Sequence, residues 1–468
     1  MRALVVAELR AAWTSWLAVL VAFVATSFSI VLAILALDSL GATIATGAVP
    51  EQEAPALLIT PGWNLALALV GTLTVIGAVT GLVVQSRRGA LARLALAGAT
   101  PGQVSRILLA QLAIVSLVGA VIGIVLAIVV QPAAVRETIA DRGVDPAIAV
   151  IEVDPLWTLL GAGFFVLVAV LGGLRQSRVA AAVPPIEALR TAPGATVRRR
   201  RIGRWIGGGV LLLGTVAIAA AVVAFAPNLG VDGSDLVLQG SLFCMLLTSI
   251  VLSLWAPLTI GGLTRAWTAL VPARSASWVL ARSAVIARGE RLSRTVTPIM
   301  MAVGLLVGLG SLTASVMALL DELGRHGLEH VSMLSMLFLV GLILLIAMSG
   351  GVSVVLMMSR QRESELALAG IVGATKRQQV LVPVLEGVII TVTATLLGLV
   401  MTAVGMAVFS AGVLALDRGV SARIVVPWVD LAVIFGLCSA VVIAATTLPV
   451  LRSLDRPARQ VAAQLAAE

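Results

Sequence analysis

The sequence predicts an all-α integral membrane protein of ten transmembrane helices, built as two parallel four-span repeats joined by two linker spans. Three observations carry that expectation. The 468 residues are 60% apolar and 12% charged with a mean hydropathy of +1.10, far outside the range of a soluble domain. A hydrocarbon core about 30 Å thick needs roughly 20 apolar residues per helix, and ten such runs occur. The chain also matches itself at an offset of 275 positions.

The runs lie near residues 13–37, 63–85, 106–130, 156–174, 205–226, 237–260, 297–320, 333–358, 381–411 and 428–450. They are Leu, Val, Ile, Ala and Gly without the two-residue alternation of a transmembrane barrel, which leaves helices. Glu8 and Arg10 precede the first run without a persuasive small-residue cleavage site, so that helix is expected to be retained. The basic run Arg198–Arg201 abuts the fifth span and reads as an anchor for anionic lipid of the inner leaflet. Cys244 and Cys438 fall inside apolar runs, where packed thiols are expected rather than a disulfide.

Orientation follows from the basic residues, which concentrate on the cytoplasmic side. With the N-terminus inside, the inner segments hold 27 of the 32 Lys and Arg, leaving Arg136, Arg142, Arg325, Arg418 and Arg423 outside. Asp38, Glu51, Asp141, Asp154, Asp321 and Asp430 fall in outer connections, and both termini are therefore expected in the cytoplasm. A net charge of +9 and a pI near 11.3 would suggest nucleic acid for a soluble chain. Here that excess is the topology signal, and no nucleic-acid partner is expected.

The self-match pairs Arg87 with Arg362, Leu91 with Leu366, Gly98-Ala99-Thr100 with Gly373-Ala374-Thr375, Gln103 with Gln378, Gln111 with Glu386, and Gly123 with Gly398. It divides the chain into a first repeat over 1–191, a two-span linker over 192–272 and a second repeat over 273–468. An even number of spans per repeat gives both copies one orientation. LVVAELRAAW at the start has a looser echo in VLARSAVIARGERL.

Each repeat carries an elbow before its third span. RRGALARLALAG and RESELALAGIVG are amphipathic segments ended by Gly98 and Gly373, the residue suited to a left-handed C-terminal cap. Thr100 and Thr375 then open the next helix, with Gln103 and Gln378 placed for a T-x-x-Q capping box and Pro101 at a first helical position. Local physics allows a plain turn. Two similar cytoplasmic knobs in pseudo-symmetry also suit a dimeric partner.

Three further features stand out. Glu386, paired with Gln111, is placed inside a span, where a carboxylate marks either an interhelical polar clamp or a substrate or proton site. The stretch HGLEH holds His326, Glu329 and His330 in a metalloprotease-like order, but in a short outer connection with Gly324 and Gly327 and no third ligand, so solvated histidines are expected and no metal site. Gly119 and Gly123, with Ala394 and Gly398, form small-x-x-x-small pairs for close helix packing.

The stretches RRGALARLALAGATPGQVSRILLAQLAIVSLVGAVIG and RQRESELALAGIVGATKRQQVLVPVLEGVIITVTATLLG resemble the FtsX-like permeases of ATP-binding-cassette systems, a family that includes the MacB and Lol transporters. The ten-span layout looks most like permeases of bacitracin-type peptide-resistance exporters. It departs from them in lacking a large extracellular domain, since the longest outer loops are expected to be about 25 residues, over 38–62 and 131–155. The resemblance implies the permease subunit of a type VII, mechanotransmission system in a bacterial cytoplasmic membrane, exporting or extracting an amphiphile such as a peptide antibiotic, a lipid or a lipoprotein. A P-loop needs G-x-x-x-x-G-K-[ST], yet the single lysine, Lys376, lies in GATKRQ. The chain is thus expected to be no enzyme and to hold no cofactor of its own, ATP and Mg being bound by a separate dimeric cytoplasmic ATPase.

On that reading Arg87, Arg88, Arg362, Glu365 and Lys376 supply polar contacts to the ATPase and Leu91 and Leu366 apolar ones, around Gly98, Ala99, Thr100, Gln103, Gly373, Ala374, Thr375 and Gln378. Two rivals stay open. One is a regulatory transmitter that signals to a cell-wall hydrolase or sensor kinase through an extracytoplasmic protein partner; the other is a secondary transporter, for which Glu386 alone is thin support. An excess of Arg over Lys of 31 to 1 suggests a high-GC bacterium.

Overall fold

The computed structural model describes residues 13–50, 54–86, 98–140, 144–181, 196–229, 232–273, 275–287, 290–322, 341–342, 345–346, 348–353, 373–416, 423–426 and 428–453. All regular structure among these is helical. In chain order the helices are α1 Trp13–Ala45, α2 Ala54–Ser86, α3 Pro101–Ala140, α4 Pro155–Ala181, α5 Thr196–Phe225, α6 Asp232–Ala269, α7 Ala276–Ala287, α8 Glu290–Glu322, α9 Lys376–Ala415 and α10 Trp428–Ser453. The described residues of 341–353 are helical too.

The protein is thus an all-α membrane protein. Among the described residues, 8 helices are long and apolar enough to cross a bilayer. These account for eight of the ten expected spans. The tenth run forms α10, whose described apolar core Leu431–Ala444 is shorter, and much of 333–358 lies outside the described residues.

The helices outrun their apolar stretches, which corrects the expected 25-residue outer loops. Over 38–62, α1 continues to Ala45 and α2 begins at Ala54; over 131–155, α3 runs on to Ala140. Hydropathy marks where lipid stops, not where a helix does. Beyond that point Leu40, Val49, Leu57, Val135 and Ile139 bury one another in a cluster that keeps the chain helical. For the same reason Asp38 and Glu137 stand on spanning helices beside the expected Glu386.

Two compact units form, one from Met1–Pro193 with His330–Met357, the other from Gly194–Glu329 with Met358–Glu468. In the first unit α1 packs on α2, α3 and α4, its widest interface being with α3. At that crossing a Cβ on Gly123 would lie 2.8 Å from the Phe28 nitrogen, so only glycine lets the two backbones meet. Phe23 of α1 meets Phe165 of α4 edge to face, 5.5 Å between centroids. The 341–353 stretch, expected as part of the second repeat, packs inside this first unit. Ser29 Oγ donates to Leu342 O at 3.2 Å, Ser353 Oγ donates to Ala18 O, and Gly350 sits against Val75 of α2.

In the second unit α9 is central, packed by α6, α7, α8 and α10. Its crossing with α8 repeats the first, because a Cβ on Gly398 would lie 2.9 Å from the Gly304 nitrogen and Gly304 stands 276 positions after Phe28. The expected linker spans α5 and α6 are packed into this unit. They join each other through Trp205 and Trp255, 5.2 Å between ring centroids, with Trp255 seated on Gly208. Helix α6 is fixed to α9 where Trp267 Nε1 donates to Thr393 Oγ1 at 3.0 Å, and α7 is tied to α6 where Arg282 Nε donates to Thr268 Oγ1 at 3.0 Å. Many other hydroxyls bond their own helix, such as Thr72 to Ala68 O at 2.5 Å and Thr248 to Cys244 O at 2.7 Å, which satisfies them where no water is at hand. Cys244 and Cys438 are buried thiols outside any disulfide, as expected.

Candidate functional site: two elbows and a pinned far-end segment

Both elbows form as the sequence predicts. Gly98 takes φ +92° and Gly373 φ +105°, left-handed values that glycine adopts without a Cβ penalty. A Cβ at either would meet nothing within 4 Å, so conformation alone asks for glycine there. In the first repeat the Thr100 amide donates to Gln103 Oε1 at 3.0 Å and the Gln103 amide donates to Thr100 Oγ1 at 3.4 Å. In the second, the Thr375 amide donates to Gln378 Oε1 at 3.0 Å and the Gln378 amide to Thr375 Oγ1 at 3.3 Å. Two amides that a helix start leaves orphaned are satisfied in each copy.

Thr100, Gln103, Thr375 and Lys376 are exposed, and Ala99, Ala374 and Gln378 half-buried. The elbows belong to different units, Gly98–Gln103 to the first and Gly373–Gln378 to the second. Arg87, Arg88, Leu91, Arg362, Glu365 and Leu366 lie outside the described residues, as do His326, Glu329 and His330.

Each elbow opens a helix of 40 residues, α3 and α9. At 1.5 Å per residue each is about 60 Å long, more than the roughly 40–45 Å of a whole bilayer with its headgroups. Each runs as one helix from elbow to far end, with Pro132 inside α3 and Pro383 inside α9. Gln111 and Glu386, each 11 positions beyond its capping threonine, are both buried. Next to Glu386, Gly387 packs on Ile443 of α10, and Thr446 Oγ1 donates to Pro383 O at 3.2 Å. Glu386 thus lies between Pro383 and Gly387, two α9 residues that meet α10.

At the far end of α3 is an arrangement the sequence did not announce. Gln131, fully buried, donates from Nε2 to Glu152 O at 2.6 Å and to Ser39 Oγ at 2.7 Å. Ser39 Oγ also accepts the Glu152 amide at 3.1 Å, Thr43 Oγ1 accepts the Val150 amide at 3.0 Å, and Asp38 Oδ2 accepts the Asp154 amide at 3.3 Å. The segment 144–154, with a short 3-10 turn at Pro146–Ile148, is thereby pinned to α1 at three points; α3 holds it through Gln131, through Ile139 O, which accepts the Val144 amide at 3.4 Å, and through the Val135 and Ile139 cluster on which Ile148 and Ile151 pack. Among the described residues the second unit has a similar pin, Ser315 Oγ accepting the Val425 amide at 3.0 Å, with Ser315 standing 276 positions after Ser39. Two polar residues in apolar surroundings, Ser39 and Gln131, were the only signal available in the sequence.

No cluster of metal-ligating side chains occurs among the described residues. Comparison with known proteins gave one match. A family model described as FtsX-like permease C-terminal covers residues 64–185 and again 337–458, together slightly more than half of the chain. Each match runs from the second span of a repeat through the elbow to the segment after the fourth. No curated protein and no solved structure matched.

Proposed function

The chain belongs to the FtsX-like permeases, the membrane subunits of ATP-binding-cassette systems that pair with a cytoplasmic ATPase, and from that premise we propose a mechanotransmission permease that exports or extracts an amphiphile. A dimeric ATPase closes on ATP and grips the elbows at 87–103 and 362–378. The grip moves α3 and α9, and the motion arrives at the opposite face of the membrane. The observation that carries this reading is the pair of capped elbows, each at the start of an unbroken 40-residue helix. Work at one end reaches the other through an element that holds its length, and a continuous hydrogen-bonded helix is such an element. The differential contact between ATPase states that such a cycle needs falls on exposed residues, Thr100, Gln103, Thr375 and Lys376.

The same reading divides the chain into repeats 1–191 and 273–468 around the linker 192–272, and puts both termini and both elbows in the cytoplasm of a bacterium. Arg198–Arg201 then meets anionic inner-leaflet lipid. A peptide antibiotic, lipid or lipoprotein suits a bundle whose spans carry few charges and therefore offer no hydrophilic pore.

One observation favours a second reading, that of a transmitter regulating a hydrolase or sensor kinase. The far-end segment 144–154 is bonded to both α1 and α3 and on this reading passes motion to an extracytoplasmic protein.

The test is affinity purification of the chain from its native membrane in mild detergent, wild type against Gly373→Asp with Thr375→Pro. A P-loop ATPase present at about two copies per permease, and lost with the elbow variant, is the expected result. Absence of any nucleotide-binding protein from the wild type overturns the ATP-driven account.

A further inference from the structure

We propose that α7, with the connections on either side of it, lies along the inner membrane surface and takes anionic phospholipid on its outward side. The helix has 12 residues, Ala276–Ala287, about 18 Å at 1.5 Å per residue and too short to span a bilayer. Ser277, Ala281 and Val285, one stripe at four-residue spacing, are buried against the bundle, where α9 is the main neighbour. The opposite side is exposed and holds Ala276, Val279, Leu280, Ser283 and Ala287, with no charge among them. Val279 and Leu280 are each 48% exposed, and Leu270, in the turn ahead of the helix, 83%.

A helix turned to water carries polar and charged side chains on its outer face. The outer face of α7 is mostly aliphatic, and an apolar face of that kind is buried where acyl chains meet headgroups. The charge stands at the ends instead. In the sequence Arg265 and Arg274 precede the helix and Arg288, Arg291 and Arg294 follow it, with Glu290 the one acid from Arg265 to Arg294. Arg282, the single charge inside α7, donates to Thr268 of α6. An apolar face between two groups of arginines complements acyl chains beneath anionic headgroups. The half-buried Trp267 and Trp278 meet edge to face at 6.3 Å beside it, and tryptophan is the residue enriched at membrane surfaces. Only the side of the membrane is taken from the topology proposed above.

The test uses the full chain in vesicles. Val279→Cys and, separately, Leu280→Cys place a thiol on the outward side, while the native Cys244 and Cys438 are buried. Each is labelled with bimane and reconstituted in equal parts phosphatidylcholine and phosphatidylglycerol, with bromine on the acyl chains of one lipid or the other. Bromine on phosphatidylglycerol is expected to quench about twofold more strongly than bromine on phosphatidylcholine, and aqueous iodide to quench little. Arg274→Gln combined with Arg288→Gln and Arg291→Gln should keep the quenching by lipid and remove the preference. Where that variant does not assemble, salt at about 0.5 M screens the same charges. A label open to iodide, or reached by neither quencher, puts the face in water or under protein and overturns the inference, as does equal quenching by the two lipids in the native background. Lys376→Cys, at the exposed elbow, is measured alongside and is expected to respond to iodide; quenching by lipid there would count against the elbow reading and leave that of α7 standing.

Discussion

Replacing Gly398 by Ala tests whether α8 and α9 meet backbone to backbone. The added Cβ would lie 2.9 Å from the Gly304 nitrogen, 3.1 Å from its Cα and 3.1 Å from Met300 O, all main-chain atoms that no side-chain rotation can clear. Comfortable contact is about 3.5–4.0 Å, so the helices must part by roughly 0.5–1 Å, and a gap of that size forfeits about a quarter to a half of each neighbouring contact. Overpacking of this kind costs about 1–3 kcal/mol. For a unit of this size that is a fall in melting temperature of about 2–4 °C per kcal/mol. Gly373→Ala on the same chain is the control. It has open space, and the strain of a Cβ at φ +105° falls on an exposed elbow that relaxes locally without parting α8 from α9. Thermal unfolding of the purified protein in detergent, followed by circular dichroism, should show Gly398→Ala unfolding earlier and with a broader transition, and Gly373→Ala close to wild type. Equal melting of wild type and Gly398→Ala would refute the close crossing.

Removing either cap, by Thr100→Ala or Thr375→Ala, should cost about 1 kcal/mol locally and speed hydrogen exchange at the Gln103 or Gln378 amide about fivefold, with coupled ATP hydrolysis falling in step; unchanged exchange would argue against the capping boxes. Gly208→Leu would drive its Cβ to within 2.1 Å of Trp255 Nε1, so it should pry α5 from α6 and open the hairpin to limited proteolysis, and a digestion pattern identical to wild type would contradict the packing. Glu386→Gln, which copies Gln111 of the first repeat, is expected to keep transport and ATP hydrolysis within about twofold, because both positions are buried and the first repeat fills its own with a neutral amide; abolished transport with intact assembly would instead support proton coupling.

The elbows were legible in the sequence almost atom by atom. Gly98 and Gly373 were expected in left-handed caps and Thr100–Gln103 and Thr375–Gln378 in capping boxes, and all are so. Such motifs are decided within a few residues, where the bond partners are fixed by spacing along one chain. The small-residue pairs likewise named the side of α3 and α9 that meets a neighbour, but not the neighbour, which at Gly398 is Gly304. Outer loops were overestimated because apolar runs end before helices do, as Leu40, Val135 and Ile139 show by burying one another past the end of the lipid-like stretch.

By itself the sequence determined that this is a helical membrane protein, that it is duplicated, and that each copy turns a capped elbow into a long third span. Those properties follow from composition, self-similarity and local hydrogen bonding, which need no knowledge of what lies beside what. Only the tertiary structure decided the partners. It placed the 341–353 stretch with the first repeat through Ser29 and Ser353, packed the linker helices onto α9 through Trp267 and Thr393, and closed the Gln131–Ser39–Glu152 junction. In an apolar chain nearly every helix face can bury against any other, so the choice of partner rests on a few glycines and buried polar atoms whose mates are far away in sequence.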